Sequence, residues 1–421
     1  MTLNGHVRIG FVSTRFAGTD GVSLETVKWA NVLNGLGHEC FFFAGESDWP
    51  ADHSHVVAEA HFNHPDILAL TADLFDDHVR APETSRRVGA IKDHLKTHLY
   101  TFVQDFKPHL LVAENALCLP MHVPLGLALT EMIAETGIPV IAHHHDFAWE
   151  RERFAINAAE DYLRAAFPPV LPSIHHVVIN SFAAHQLAMR TGERSVLVPN
   201  VMDFDTPPPA PDEYTASLRD AIGVRPDTHL LLQPTRIVPR KRIERAIELA
   251  RRLNLPVDLV ISHSSGDEGD AYARYLRELA DLLDVRVIFA ADRMGMLRGQ
   301  TPEGQPIYSL GDAYYEADLV TYPSAVEGFG NAFLETIYFR RPIIMCNYEI
   351  FNVDIRPKGF RVITFGDFIP DETVRETRAL LEDGAGVEEM VEENYRIAQR
   401  YYSFTALEKY LVALLSECLG A

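Results

Sequence analysis

The chain has 421 residues, more than one domain of ordinary size accommodates, so two domains or three are expected from length. Hydrophobic residues make up 47% and charged residues 23%, the balance of a folded globular protein, which excludes disorder and fibrous architecture. Thirty-eight Lys and Arg against 59 Asp and Glu leave a net charge of −21, a field that repels a phosphate backbone and argues against nucleic acid as a partner.

The opening MTLNGHVRIGFVSTRF places Arg8 inside its apolar stretch and does not read as a signal peptide. Apolar runs at 7–13, 40–44, 110–113, 140–143, 177–180 and 196–199 alternate with stretches of helical period. The alternation resumes at 230–235, 257–262, 285–289, 319–322 and 343–346. This is the pattern of βα units around parallel sheets, hence an α/β protein. The longest stretch without a charged residue, 165–189, is broken by Pro168, Pro169 and Pro172 and carries several histidines, so no membrane span is expected. The proline-rich segment DFDTPPPAP at 203–211 reads as a stiff linker.

Two Rossmann-like domains, 1–205 and 206–390, are therefore expected, followed by C-terminal helices over 391–421 that either cap the second domain or cross back to the first. In such folds ligands bind at the carboxyl ends of the strands, here in a cleft between the two domains. Cys40, Cys118, Cys346 and Cys418 are widely spaced with no CxxC pair, so neither a disulfide framework nor a zinc knuckle is indicated and a cytoplasmic location is expected. A homodimer through the C-terminal helices stays open.

The segment Pro323-Ser324-Ala325-Val326-Glu327-Gly328-Phe329-Gly330-Asn331-Ala332-Phe333-Leu334-Glu335 follows a strand and leads into a helix. Its glycines allow close backbone approach, and a helix start suits a phosphate. Glu327 in the loop and Glu335 about two turns into the helix are spaced to accept hydroxyls from a sugar and a ribose; an ordinary strand-to-helix turn has the same spacing. Arg236 and Lys241, just past another strand end, suit a diphosphate or a solvated basic helix start. Gly18–Ser23 follows the first strand without GxGxxG, which removes the main support for a nicotinamide dehydrogenase. Ser23 is the expected N-cap of a helix over 24–36.

In His143-His144-His145-Asp146, alternation allows only His143 and His145 to share an ion, and no third ligand is evident, so no metal site is expected. His143 reads as a core histidine. Arg151 and Arg153 close behind suit an anionic acceptor or local Glu–Arg pairing.

Together these segments resemble the retaining glycosyltransferases of family 4. The 323–335 segment matches their EX7E motif, and Gly18–Ser23, His145-Asp146, Val198-Pro199-Asn200-Val201 and Thr235–Lys241 follow in matching order. The resemblance covers nearly the whole chain and implies the GT-B fold, a nucleotide-sugar donor, a small-molecule acceptor, retention at the anomeric carbon and no obligatory metal. It implies catalytic roles for His145, Arg236, Lys241 and Glu327, and donor contacts from Gly21, Val22, Gly328, Phe329, Gly330, Asn331 and Glu335. Asp146, Arg151 and Arg153 fall on the acceptor side.

STRFAGTDGVSLE and HHHDFAWERERF are similar to segments of bacterial enzymes making mannosylglucosylglycerate-type solutes, which implies GDP-mannose and a phosphorylated glucosylglycerate. A sugar phosphorylase, an epimerase and a non-catalytic nucleotide-sugar sensor are the rival expectations.

Overall fold

The apolar runs become parallel strands, most of them buried, in a computed structural model that describes residues 5–18, 20–266 and 269–420. The first unit comprises Met1–Val201 with Phe404–Ala421, and the second Met202–Ser403. Strands β1 (Arg8–Val12), β2 (Glu39–Ala44), β3 (Ser54–Val56), β4 (Leu110–Glu114), β5 (Val140–His144), β6 (Ile174–Val178) and β7 (Ser195–Leu197) form one sheet. Its order is β3-β2-β1-β4-β5-β6-β7, the doubly wound arrangement that reverses between β1 and β4.

The strand expected at 177–180 starts three residues earlier, because Ile174, His176 and Val178 all turn into buried surroundings and the histidines disguise the apolar pattern. β3 was not anticipated: it has three residues, two of them polar.

Helix α1 (Gly21–Gly35) also begins earlier than expected, and its N-cap is Asp20 rather than Ser23. The Asp20 carboxylate accepts the backbone N–H of Val22 and of Ser23, each at 3.1 Å, the Ser23 hydroxyl at 2.7 Å and Arg15 Nη2 at 2.8 Å. Ser23 is thus a partner of the cap. Burial raises the Asp20 pKa, but these hydrogen bonds and the Arg15 charge outweigh it and leave it lowered. On the inner face of α1, Glu25 accepts Lys28 Nζ at 2.9 Å and Val201 N–H at 3.3 Å, which holds the 198–201 turn.

In the second unit β8 (His229–Gln233), β9 (Val257–Ile261), β10 (Val287–Phe289), β14 (Leu319–Tyr322), β15 (Ile343–Cys346) and β16 (Ile363–Phe365) form a parallel sheet in the order β10-β9-β8-β14-β15-β16. The short β11 (Met294–Gly295), β12 (Gly299–Gln300) and β13 (Pro306–Ser309) make a separate small sheet. Residues 203–211 lie in neither helix nor strand. The helical stretch after 386 is two helices, Val387–Tyr402 and Phe404–Leu419, and only the latter belongs to the first unit. There Leu407, Leu411, Leu414 and Leu415 pack in one core with Trp29, Leu33 and Phe42, each leucine contributing roughly 2 kcal/mol of gross burial. Among the described residues no helix is long and apolar enough to cross a membrane.

Candidate active site

In the second sheet, β8 and β14 are neighbours where the strand order reverses, with Leu231 opposite Leu319 and Leu232 opposite Val320. The loops leaving their carboxyl ends therefore start side by side, at the position where open α/β sheets bind ligands. Ala325 N–H donates to Arg240 O at 3.1 Å and ties one loop to the other. Pro239–Lys241 is a turn of 3₁₀ helix, and it delivers Lys241 Nζ to Glu327 Oε1 as a hydrogen-bonded ion pair.

Both side chains of that pair are about nine-tenths buried, 11% and 10% exposed. Arg240 Nη1 lies 3.7 Å from Glu327 Oε2, and the ammonium sits 5.5 Å over the Tyr322 ring. Burial pushes the Lys241 pKa down; Glu327 opposes this, and the charges of Arg240 and Arg236 reinforce it, so it stays lowered. His263 is likewise lowered, by burial and then by Arg236 and Lys241. The exposed Arg236 thus adds to one local patch of positive potential in an acidic protein.

Helix α2 (Asn331–Tyr338) follows. Its N-cap, Gly330, has φ +122°, and a Cβ there would lie 2.3 Å from Tyr348 Oη, which donates to Phe329 O at 2.7 Å. Only glycine fits. Phe329 is buried and packs edge-on against Tyr402 at 5.3 Å, whereas Gly328 and Asn331 are partly exposed. Glu335 is the fifth residue of α2 and so lies just past the first turn rather than about two turns in. Tyr314 Oη donates to Glu335 Oε2 at 2.9 Å and anchors it. A cavity of about 280 Å³ opens beside this loop, lined by Arg242, Ala325, Asn347, Tyr348, Gly366 and Asp367 among others.

In the first unit a third acidic partner does face His143 and His145. Glu114, at the end of β4, stands opposite His143 of β5 in the parallel register. Its oxygens lie 3.0 and 3.1 Å from His143 Nδ1 and 3.2 Å from His145 Nε2, and the three donor atoms all lie within 4.8 Å of one another. Burial raises the Glu114 pKa, but the charges of and hydrogen bonds from the two histidines outweigh it and hold it well below the carboxylate range. An ionised carboxylate only accepts, so both facing ring nitrogens carry protons and the cluster closes through hydrogen bonds. Trp29 stacks on His143 at 4.2 Å. His145 is 9% exposed. Burial lowers its pKa; the hydrogen bond and charge of Glu114, then the charges of Glu25 and Asp146, outweigh this and leave it raised.

His144 turns to the opposite face and pairs with His176, Nε2 to Nδ1 at 2.8 Å. The 147–154 segment forms two 3₁₀ turns. Arg151 Nη2 pairs with Asp146 Oδ1 at 2.7 Å, and the exposed Arg153 lies over the Phe154 ring at 4.6 Å. Gly21 and Val22 form the first turn of α1, where the Val22 N–H is already bound by Asp20; Thr19 lies outside the described residues. The sequence pattern does not reveal Glu114, and it places Arg240 only in a basic helix start rather than at the site. An acid closing the buried run LLVAE was the available signal for the first, and direct adjacency to Lys241 for the second.

No family model matches the chain. A glycosyltransferase from Rickettsia africae superposes with a TM-score of 0.66 at 12% identity, covering 98% of this chain and 99% of that one. Two parallel-sheet units with this likeness give the protein the GT-B fold. Over 96% of its length the chain is 30% identical to the mannosylglucosylglycerate synthase of Thermotoga maritima, covering 99% of that protein. It is also 30% identical to the mannosylglucosylglycerate synthase of Petrotoga mobilis over 86% of this chain and 87% of that one. The chain belongs to the mannosylglucosylglycerate synthase family.

Proposed function

We propose that the protein is a cytoplasmic, retaining hexosyltransferase that moves mannose from GDP-mannose to glucosylglycerate or its 3-phosphate, and that it needs no obligatory metal. The observation that carries the reading is the buried Lys241–Glu327 pair flanked by Arg236 and Arg240, in a chain whose relatives are named for mannosylglucosylglycerate synthesis. Departure of a nucleoside diphosphate builds negative charge on its oxygens. Arg236 and Lys241 stabilise that charge more in the transition state than in the ground state, and Lys241 is held in place beforehand by Glu327. Glu327 accepts donor-sugar hydroxyls, Glu335 accepts the ribose diol, and the N-terminus of α2 at Gly328–Asn331 receives phosphate oxygens. In the first unit His145 contacts the donor sugar. The departing phosphate takes the acceptor proton, so no protein base is assigned.

The acceptor carries a carboxylate, and a phosphate in its phosphorylated form. Arg151 is engaged by Asp146, which leaves the exposed Arg153 as the better placed of the two arginines for an anion. Calorimetric titration with GDP, UDP and ADP without divalent metal tests the donor: micromolar binding of GDP that collapses in Arg236→Ala supports the reading, and binding of none of the three contradicts it. Incubation with GDP-mannose and either glucosylglycerate or glucosyl-3-phosphoglycerate then identifies the acceptor, with the anomeric configuration of the product read by NMR. An inverted product excludes retention. Unchanged acceptor KM in both Arg151→Ala and Arg153→Ala removes the arginines from the acceptor site.

A further inference from the structure

We infer that Glu114 is a positioning residue for His145: it fixes which imidazole nitrogen faces inward and keeps a carboxylate behind the ring while Nδ1 remains for the sugar. The inference rests on the reading of His145 as the residue that contacts the donor sugar. Its basis is geometric. Glu114 is fully buried, yet among the described residues its carboxylate is hydrogen-bonded to imidazoles, His143 at 3.0 and 3.1 Å and His145 at 3.2 Å. A carboxylate withdrawn from water is costly unless its partners supply protons. Here both ring nitrogens do so, and the proton of His145 is thereby placed on Nε2. The remaining nitrogen, Nδ1, accepts a hydroxyl proton when the ring is neutral and donates when it is charged.

The arrangement alters the electrostatics expected from a lone histidine. A neutral imidazole avoids opposing a developing oxocarbenium, but the charges around His145 favour the protonated ring. Those charges are Glu114 on β4, Glu25 on α1 and Asp146 after β5; the His143 ring on β5 also faces it. With Glu114 ionised, a protonated His145 belongs to a pair of zero net charge, so the ring can donate without presenting an isolated cation. His143 has the structural part: it is stacked on Trp29 and 1% exposed. His145 is the member at the edge of the cluster.

The test combines NMR titration of the ¹⁵N-labelled histidines with a double-mutant cycle. In Glu114→Gln the His145 pKa falls below its wild-type value, whereas in Glu114→Asp and in His143→Phe it stays raised; a His145 titration unchanged in Glu114→Gln overturns the inference. In kinetics, Glu114→Gln lowers kcat roughly 10- to 100-fold with donor KM within about threefold, and the same change made in His145→Ala has no further effect. Additive losses overturn it. If Glu114→Gln melts well below the assay temperature, Glu114→Asp takes its place, and a Glu114→Asp enzyme as slow as His145→Ala with its His145 pKa still raised also overturns it. Full activity in His145→Ala defeats the catalytic reading of His145 itself, a different result from an unchanged titration, and the NMR arm is read without any substrate.

Discussion

Lys241 donates to Glu327 across 86 residues of chain, and the contact exists because β8 and β14 are adjacent and both loops leave the same edge of the sheet. Removing one member of so buried a pair strands the other. Glu327→Gln and Lys241→Met are each expected to lose about 3 kcal/mol in urea denaturation. The two lose activity differently: Lys241→Met weakens GDP binding as well as kcat, while Glu327→Gln lowers kcat with nucleotide affinity within about threefold. Equal nucleotide affinity in Lys241→Met and wild type would place the lysine outside the diphosphate site.

Gly330 sets the entry to α2 through a positive φ and through the space left for Tyr348 Oη. Gly330→Ala combines backbone strain with a clash at 2.3 Å and is expected to cost about 3 kcal/mol or more. Tyr348→Phe removes the clashing oxygen, so the double variant recovers the steric part and keeps the strain. A melting temperature unaffected by Gly330→Ala would show that the loop adapts freely.

Asp20 caps α1 with two backbone hydrogen bonds. Asp20→Ala should lower stability by about 1 kcal/mol, measured as a shift of the urea midpoint at constant slope, and Asp20→Asn by less. A change of slope would point instead to loss of the Arg15 and Ser23 contacts over a wider region.

Folding stability should fall on acidification from about pH 6.5. His122 and His176 are buried and uncharged, each held by burial at about 4 against an ordinary 6.5, and His144 is lowered in the same way. The unfolded chain takes up protons at 6.5 that the folded chain takes up only near 4. Stability present above 6.5 is therefore lost progressively as the pH falls to about 4, on the order of 3 kcal/mol for each of the two. Urea midpoints between pH 7 and 4 check this, and His176→Gln, which does not titrate there, should flatten the slope. An equal slope in that variant would assign the acid limb to other groups.

Much of the α/β framework was legible because β14 and β15 are uninterrupted apolar runs, and their limits, 319–322 and 343–346, were read from the residues. The 327–335 spacing and the Arg236/Lys241 pair were legible through resemblance to known motifs. β3 and β16 have only three residues each, too few to show a period. Glu114 escaped for a different reason: its significance depends on β4 lying beside β5 in a register that sets it opposite His143, and neither fact is local. With Asp20 and Ser23 three residues apart, both satisfy the chemistry of a cap, and only the hydrogen bonds decide between them.

The helix Phe404–Leu419 belongs to the unit that begins at the other end of the chain. On a ribosome, residues 1–201 therefore emerge without the leucines that complete the core around Trp29, and some two hundred residues of the second unit are synthesised before those leucines appear. Until then the apolar face of α1 that packs against these leucines lacks that cover, the kind of transiently exposed surface that favours aggregation during synthesis. A stop codon at position 404 would leave it permanently in that state.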